Sequence, residues 1–178
     1  MYERTTYSSP LGTLTLMSHQ DHLIGLWMEG QTYVDLSSRK EIKDQTSKVL
    51  DQAKDWLDRY FHKEQPSIAA LPLEPIGTEF QTEVWNILCE IPYGELATYG
   101  DIAKQLAQRL GKPHMSAQAI GGAVGHNPIS IIIPCHRVVG ASGSLTGYAG
   151  GIDRKIALLE HEGVDLSHLY VPKKTTTR

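Results

Sequence analysis

The sequence has few cysteines, no long hydrophobic run and no signal-like N-terminus. Only Cys89 and Cys135 occur in its 178 residues, and two thiols build neither a disulfide framework nor a four-cysteine zinc site. No window approaches the roughly 18 apolar residues of a membrane-spanning helix, and no basic stretch followed by an apolar stretch opens the chain. We therefore expect a folded protein without a membrane span, in a reducing compartment such as the bacterial cytoplasm.

The sequence also has no excess of positive charge. Its 17 Lys and Arg residues stand against 20 Asp and Glu residues, which gives a net charge of -3. At the level of the whole chain, this charge argues against a strongly basic nucleic-acid-binding protein. The charge is distributed unevenly, because residues 98–151 carry four Lys and Arg side chains against one Asp, a net +3. We expect a locally positive surface in that segment.

The first part of the chain has strand and helix patterns in succession. Alternating residues bounded by turn signals predict a small antiparallel meander with strands at Thr5–Ser8, Gly12–Met17 and Leu23–Met28. Apolar residues then recur at helical spacing from Arg39 to Phe61, which predicts an amphipathic helix laid on the sheet. The proline-punctuated stretch that ends at Gly77 lacks periodicity and predicts a linker.

Helices and loops predominate after that linker. Thr78 and Gln81 match a capping box, in which each side chain satisfies a backbone donor, and this predicts a helix over residues 79–89. Thr98 is the expected cap of a second helix, and Ser116 of a short third helix built from small residues. Two helices joined by such a turn predict helix-turn-helix geometry.

A candidate nucleophile follows a run of β-branched residues. The run Ile129–Ile133 predicts a buried strand that ends at Pro134, with Cys135, His136 and Arg137 directly after it. An imidazole and a guanidinium beside a thiol form an electropositive setting of the kind that lowers a cysteine pKa. The alternative interpretation is a small buried hydrophobic residue at the end of a strand.

A glycine-rich segment and a final helix complete the pattern. Five glycines fall within residues 140–151, so the backbone can approach a ligand closely, and Tyr148 offers a stacking face among them. The alternative is a plain flexible connector. Asp153 is the expected cap of a last helix that ends at Gly163. Glu162, at the end of this helix, either orients an imidazole or is a solvated acid.

The sequence resembles a known family in four motifs. These are AIGGAVGHNP at residues 119–128, IIPCHRVV at 132–139, GYAGG at 147–151 and HEG at 161–163. Together they closely resemble the O6-alkylguanine-DNA alkyltransferases, also called methylated-DNA-protein cysteine methyltransferases. The resemblance covers residues 78–163, whereas the N-terminal part matches only in size and in its strand-then-helix pattern.

The resemblance implies a role for each residue of a catalytic chain. In that family a cysteine takes the alkyl group from O6 of a guanine flipped out of the duplex, and it is never regenerated. Cys135 would be the nucleophile, His136 the base that acts through a water, and Glu162 the carboxylate that holds the imidazole. Asn127 would fix the turn that supports the active-site strand. Tyr99 would donate a hydrogen bond to N3 of the flipped base.

The resemblance also implies how the base would be held. The backbone carbonyls of Val138 and Cys135 would accept hydrogen bonds from the exocyclic amine of guanine. The loop with Tyr148 and Ala149 would line the pocket and reach O6.

For DNA, the resemblance implies a recognition helix pressed into the minor groove. Its small residues suit this narrow groove, and the expected DNA-binding residues are Ala117, Gln118, Ala119, Gly121 and Gly122. Gln118 departs from the family, which usually has an arginine there to fill the gap left by the extruded base. We expect weaker DNA binding or slower flipping as a consequence.

Three other functions compete with alkyl transfer. The first is that of the non-catalytic alkyltransferase-like proteins, which bind alkylated DNA and replace the cysteine; the presence of Cys135 argues against it. The second is a thiol hydrolase or acyltransferase that uses Cys135 and His136, for which the helix-turn-helix would have no role. The third is a DNA-binding regulator with an incidental cysteine.

The sequence thus predicts a two-part α+β protein that repairs O6-alkylguanine, with O4-alkylthymine as an open second substrate. Residues 1–75 would form a small sheet-and-helix domain, RNase H-like by the resemblance. Residues 76–170 would form a helical, winged-helix-like domain that binds DNA and carries Cys135, followed by a tail at 171–178. We expect a single-turnover methyltransferase that acts as a monomer on double-stranded DNA, with no cofactor and no metal.

Overall fold

A computed structural model describes residues 1–31 and 41–172 of the protein. The chain forms an α+β fold whose N-terminal sheet has the strand order β3-β2-β1-β4. The strands are β1 (Tyr2–Ser9), β2 (Gly12–His19), β3 (His22–Met28) and β4 (Ile42–Asp44). The first three pair antiparallel, as the sequence predicts, and β4 lies parallel to β1.

The helix that packs on this sheet is shorter than the periodicity predicts. Helix α1 spans Lys48–Phe61 and begins at Ser47, whose side chain accepts a hydrogen bond from the backbone N–H of Leu50. The predicted start at residue 39 is wrong for the described part, because Ile42 pairs with Tyr2 in the sheet. Residues 39 and 40 lie outside the described residues. The Ser47 cap, rather than the apolar periodicity, sets where the helix begins.

The predicted linker is more ordered than its composition indicates. It contains a 3₁₀ turn at Ile68–Ala70. Farther on, Leu73 lies beside Leu23 in a parallel bridge, and the N–H of Leu23 donates to the carbonyl of Pro72 at 2.8 Å. The connection therefore runs along the free edge of β3 and satisfies some of its backbone groups.

Four helices form most of the C-terminal part, and their caps agree with the sequence prediction. They are α2 (Glu79–Leu88), α3 (Tyr99–Arg109), α4 (Ala117–Gly125) and α5 (Ile152–His161). Thr78 and Gln81 form the predicted capping box of α2, and the side chains of Thr98 and Ser116 cap α3 and α4. Helices α3 and α4 pack together as the predicted helix-turn-helix. A short parallel pair, β5 (Ala97–Thr98) with β6 (Val138–Val139), lies beside them.

Helix α5 does not begin at Asp153 as predicted. The residue before its first turn is Gly151, which has a φ of 94° and makes no side-chain cap. This left-handed backbone favours glycine, so a polar cap side chain is not available there. Asp153 lies inside the first turn, where a carboxylate is favoured by the helix dipole. At the other end, Gly163 follows the helix with a φ of 79°.

The segment 129–133 is not the predicted buried strand. Its backbone folds into tight turns: the N–H of Ile133 donates to the carbonyl of Ile129 at 3.1 Å, and Ile131 has a φ of 69°. The side-chain oxygen of Asn127 accepts from the N–H of Ile129 at 3.0 Å. The β-branched side chains are buried as the sequence predicts. Local hydrogen bonds from Asn127, however, determine the backbone path.

One hydrophobic core joins the N-terminal sheet to the C-terminal helices. Leu26 of β3, Leu57 of α1 and Leu88 of α2 all belong to it and are fully buried. A backbone hydrogen bond of 2.9 Å from the N–H of Leu26 to the carbonyl of Pro128 ties the sheet to the turns that lead to Cys135. Across residues 1–31 and 41–172, none of the helices has the length and apolar character needed to cross a membrane.

Candidate active site

Cys135 lies at the start of a 3₁₀ turn, Cys135–Arg137, between the turns after α4 and strand β6. It is 6% exposed, so the residue is almost completely covered. The Asn127 amide group holds it, because Nδ2 donates to Cys135 Sγ at 3.1 Å and to the carbonyl of Ile133 at 2.8 Å. Asn127 thus fixes both the turns and the thiol.

The charges beside Cys135 do not act on its thiol as the sequence predicts. Burial raises the pKa of Cys135 above its usual range, while the Asn127 hydrogen bond and the Lys155 ammonium act in the opposite direction. The predicted lowering by His136 and Arg137 is wrong, because both side chains point at Glu162 instead. Cys135 is therefore protonated at rest, and a base is needed to form the thiolate.

The residue after Cys135 is a buried histidine paired with a carboxylate. His136 is fully buried, and its Nε2 lies 2.6 Å from Glu162 Oε2. Burial lowers the pKa of His136, although Glu162 acts the other way, so the imidazole is neutral at neutral pH. With Nε2 protonated toward Glu162, the lone pair is at Nδ1, which has no hydrogen-bond partner among the described protein atoms. Nδ1 is therefore the atom that can accept a proton.

Glu162 is buried, so the interpretation as a solvated helix-end acid is wrong. Its Oε1 accepts from Arg137 Nε at 2.8 Å and from the backbone N–H of Gly94 at 3.1 Å. Its Oε2 accepts from His136, from the Tyr60 hydroxyl at 2.6 Å and from Arg137 Nη2 at 3.1 Å. Burial alone would raise the pKa of Glu162, but the hydrogen bonds from His136, Arg137 and Tyr60 lower it well below its usual range. The carboxylate is therefore an anion at neutral pH, hydrogen-bonded to the imidazole.

Lys155 is a functional candidate that the sequence analysis missed. It is 1% exposed, and its Nζ donates to the carbonyl of Val138 at 2.6 Å and to that of Thr146 at 3.1 Å. Burial lowers the pKa of Lys155 to about 8, with Cys135 acting in the opposite direction. The ammonium joins β6 to the glycine-rich loop and lies close enough to favour a thiolate at Cys135.

A sequence signal for Lys155 existed. It stands three residues before Leu158 and seven before Glu162, and both of these positions are on the buried face of α5. Residues spaced in this way share one side of a helix. No comparable local signal marks Tyr60, because it is separated from Glu162 by 102 residues.

The other residues predicted to hold the base lie around the glycine-rich loop. The Tyr99 hydroxyl donates to the carbonyl of Thr146 at 3.3 Å. Tyr148 is 8% exposed, and its hydroxyl faces Met28 Sδ at 4.0 Å, whereas Ala149 is exposed. Tyr99 and Tyr148 both lie near enough to Cys135 to interact with it electrostatically.

The exposed side of α4 consists mostly of alanine and glycine residues. Ala117, Gln118, Ala119 and Gly122 are exposed, and the buried face of the helix is apolar. An added Cβ at Gly122 would meet nothing within 4 Å, whereas one at Gly121 would touch the Tyr99 ring at 3.9 Å. Gly121 of α4 therefore lies close to the Tyr99 ring.

The surface around α4 is less positive than the charge count predicts. Arg137 is buried on Glu162, and Arg109 is paired with Glu90 at 2.6 Å, so neither adds an unpaired charge. Lys104 and Lys112 are exposed and lie in one groove with His114, at the start of the turn into α4. These are the cations that remain available to a phosphate backbone.

Metal ligands are not assembled in the part of the chain that is described. Within residues 1–31 and 41–172, no group of three or more His, Cys, Asp or Glu side chains is placed to hold an ion. The second cysteine, Cys89, is half-buried at the end of α2, and burial raises its pKa to about 11. Of the two thiols, Cys135 is the one with an imidazole and an amide beside it.

Comparison with known proteins gives the same result for both halves of the chain. Residues 2–75 match the model of the 6-O-methylguanine DNA methyltransferase ribonuclease-like domain. Residues 79–164 match the model of the 6-O-methylguanine DNA methyltransferase DNA binding domain. Together these matches cover most of the chain.

Similar proteins are found among bacteria. The methylated-DNA–protein-cysteine methyltransferase of Mycobacterium tuberculosis is 48% identical over 162 residues, which is 91% of this chain and 93% of that protein. The protein of the same name from Haemophilus influenzae is 40% identical over 171 residues, 96% of this chain and 89% of that protein. The crystal structure of Mycobacterium tuberculosis OGT in complex with DNA superposes with a TM-score of 0.77 at 46% identity, over 90% of this chain and 92% of that one. The chain therefore belongs to the family of methylated-DNA–protein-cysteine methyltransferases.

Proposed function

We propose that the protein repairs DNA by direct reversal, transferring an alkyl group from O6 of guanine to Sγ of Cys135. The observation that carries the proposal is a set of two buried hydrogen-bonded pairs on adjacent residues, Asn127 with Cys135 and His136 with Glu162. The family supplies the reaction class. The structure supplies a thiol held by an amide, followed in the chain by an imidazole that is paired with a buried anion. The residues around Cys135 are thus of the types that the reaction of the family requires.

The transfer begins with proton removal. His136 Nδ1 takes the proton of the Cys135 thiol through a water, and Glu162 stabilises the imidazolium that forms. The thiolate attacks the carbon on O6: a sulfur–carbon bond forms while the carbon–oxygen bond breaks. The electron pair of the broken bond stays on guanine. Since no group in the site reverses a thioether, each molecule reacts once.

The base is held by groups on both sides of Cys135. The Val138 carbonyl keeps a second lone pair beside its bond from Lys155, so it can accept from the exocyclic amine of guanine, as can the Cys135 carbonyl. Tyr99 turns from the Thr146 carbonyl to donate to N3, which stabilises the negative charge of the leaving base. The loop with Tyr148 and Ala149 closes the pocket at O6.

DNA is bound through the exposed side of α4, inserted in the minor groove. The reacting carbon is out of reach inside a duplex, so the guanine must be flipped out at a cost of a few kcal/mol. Ala117, Ala119, Gly121 and Gly122 allow a close approach to the groove, and Gln118 faces the gap that the base leaves. We further propose a cytoplasmic monomer with domains at 1–75 and 76–170.

The mass of the intact protein, measured after mixing with a duplex that carries one O6-methylguanine, tests this function. We expect a gain of one methyl group that stops at one equivalent and maps by peptide analysis to Cys135. Cys135→Ser should show no gain, and the matched control Cys89→Ser should react like the unchanged protein. Binding of the duplex without any gain in mass contradicts the proposal, as does repeated turnover.

A further inference from the structure

A tyrosine of the N-terminal part reaches the catalytic carboxylate. Tyr60 lies near the end of α1, is 1% exposed, and donates its hydroxyl to Glu162 Oε2 at 2.6 Å. This is the same oxygen that His136 Nε2 contacts at 2.6 Å. The imidazole of His136 and the hydroxyl of Tyr60 therefore share one acceptor atom, Glu162 Oε2.

The carboxylate of Glu162 has more donors than lone-pair positions. Its two oxygens receive five hydrogen bonds: one each from Tyr60, His136 and Gly94, and two from Arg137. A carboxylate offers about four acceptor positions. The donors therefore compete for the negative charge of one carboxylate. Removing one donor strengthens the interaction of the carboxylate with the remaining donors, including the imidazolium of His136.

The ring of Tyr60 has little freedom to move away. It stacks on Trp56 with ring centroids 5.4 Å apart and makes edge contacts with Phe61 and Tyr93 at 5.1 and 6.0 Å. His161 of α5 lies beside it, and its Nε2 contacts the Tyr60 carbonyl at 2.8 Å. The hydroxyl is therefore held against Glu162 by packing from α1, from the loop after α2 and from α5.

We propose that Tyr60 is a positioning residue for the alkyl transfer, which fixes the Glu162 carboxylate and limits the negative charge that it presents to His136. The proposal rests on the reaction proposed above, and it gives the N-terminal part a direct connection to the chemistry at Cys135. Burial and the Glu162 charge raise the pKa of Tyr60 far above its usual range, so the phenol remains a donor at all working pH values. Among the described residues, Tyr93, Arg137 and His161 are further titratable groups around Tyr60 and Glu162, and Lys155 acts on His136.

Tyr60→Phe removes one oxygen and keeps the packed ring. Glu162 Oε2 then has one donor fewer and attracts the His136 proton more strongly. We expect the pH at which His136 becomes protonated to rise by about one unit, because a hydrogen bond to a charged group is worth more than one to a neutral group. The carboxylate also loses a constraint on its orientation, so transfer at neutral pH should slow by about tenfold.

The first test is an NMR titration of the His136 imidazole, which needs neither DNA nor transfer. Tyr7→Phe is the matched control, since the Tyr7 hydroxyl donates to Asp58 Oδ1 of the same helix at 2.6 Å, outside this network. We expect the midpoint to rise in Tyr60→Phe and to stay unchanged in Tyr7→Phe. An unchanged midpoint in Tyr60→Phe overturns the proposal, even where its transfer rate falls.

The second test is the single-turnover rate of methyl transfer against pH at saturating duplex. The low-pH limb of the profile should move to higher pH in Tyr60→Phe, and the variant should have no further effect in a Glu162→Gln background. An equal loss of rate in both backgrounds shows that Tyr60 does not act through Glu162 and overturns the proposal. Absence of transfer by the unchanged protein would contradict the reaction itself, and the titration would still decide the link from Tyr60 to His136.

Discussion

The buried cluster around Glu162 and the exposed side of α4 are built in opposite ways. In the cluster, Cys135, His136, Arg137 and Glu162 are buried, and each contributes a side-chain hydrogen bond. On α4, the exposed residues carry no charge and no side chain larger than that of Gln118. In the cluster, His136 Nδ1 is the one buried side-chain nitrogen or oxygen without a hydrogen-bond partner among the described residues, whereas the exposed side of α4 offers only small, uncharged groups to solvent.

This difference fits the roles that we propose for the two regions. Charge that develops during a reaction is stabilised best by groups already oriented in a site without water. A surface that enters a DNA groove has the opposite need, since every atom added to it must find room beside the bases. We therefore expect changes in the cluster to impair both stability and chemistry, whereas changes on α4 should separate stability from DNA binding.

Glu162→Gln should have the largest effect. It leaves Arg137 buried beside a neutral amide and removes the anion that stabilises the imidazolium of His136. Breaking a buried ion pair costs about 3–5 kcal/mol of stability, and loss of general-base function costs about 10²–10⁴ in rate. Denaturant unfolding and the single-turnover rate of transfer measure the two effects. Glu160→Gln, at an exposed position of the same helix, is the matched control.

The pH dependence of stability separates this interaction from simple packing. The pKa of Glu162 is lower in the folded protein than in the unfolded chain, so its contribution is full above about pH 4.3, the ordinary carboxyl value, and is lost as the pH falls below it. The stability difference between the protein and Glu162→Gln should therefore shrink with falling pH. A difference that stays constant from neutral pH to pH 3 would contradict the charged interaction.

The contrast between the two regions also explains what the sequence could predict. Helix α4 and its cap Ser116 were predictable, because capping and helix formation depend on neighbours in sequence. The turns after Asn127 were not, because the run of isoleucines favours a strand and only the side-chain hydrogen bonds of Asn127 redirect it. Strand β4 was missed for a similar reason, since its three residues pair with β1, far away in sequence.

Contacts between residues far apart in sequence also limited the prediction of the candidate active site. The sequence indicated Cys135 and His136 by their adjacency, while Glu162 and Asn127 followed from the family motifs. The prediction that Arg137 lowers the pKa of the Cys135 thiol was wrong. Its guanidinium pairs instead with Glu162, which is 25 residues away in the sequence. Long-range contacts of this kind are a property of the folded core and leave no periodic pattern in the chain.

Gln118→Arg should have an intermediate effect, on the exposed side of α4. It adds a long cation at the position that we propose faces the gap left by the extruded base. We expect about 3- to 10-fold tighter duplex binding with a steeper salt dependence. Gln52→Arg, at an exposed position of α1, adds the same charge away from α4 and controls for net charge. A Gln118→Arg variant that binds and reacts no faster than the unchanged protein would show that Gln118 does not limit recognition.

Gly122→Ala should have the smallest effect and gives the sharpest contrast, because its two consequences differ in sign. An added Cβ meets nothing within 4 Å, and alanine in a helix interior is favoured over glycine by about 0.5–1 kcal/mol, so the melting temperature should rise slightly. The same methyl group would stand between α4 and the floor of the minor groove, so duplex binding should weaken several-fold. A variant that is more stable and binds equally well would mean that α4 does not approach the groove closely at Gly122. Loss of both properties would mean instead that the helix needs glycine for its own packing.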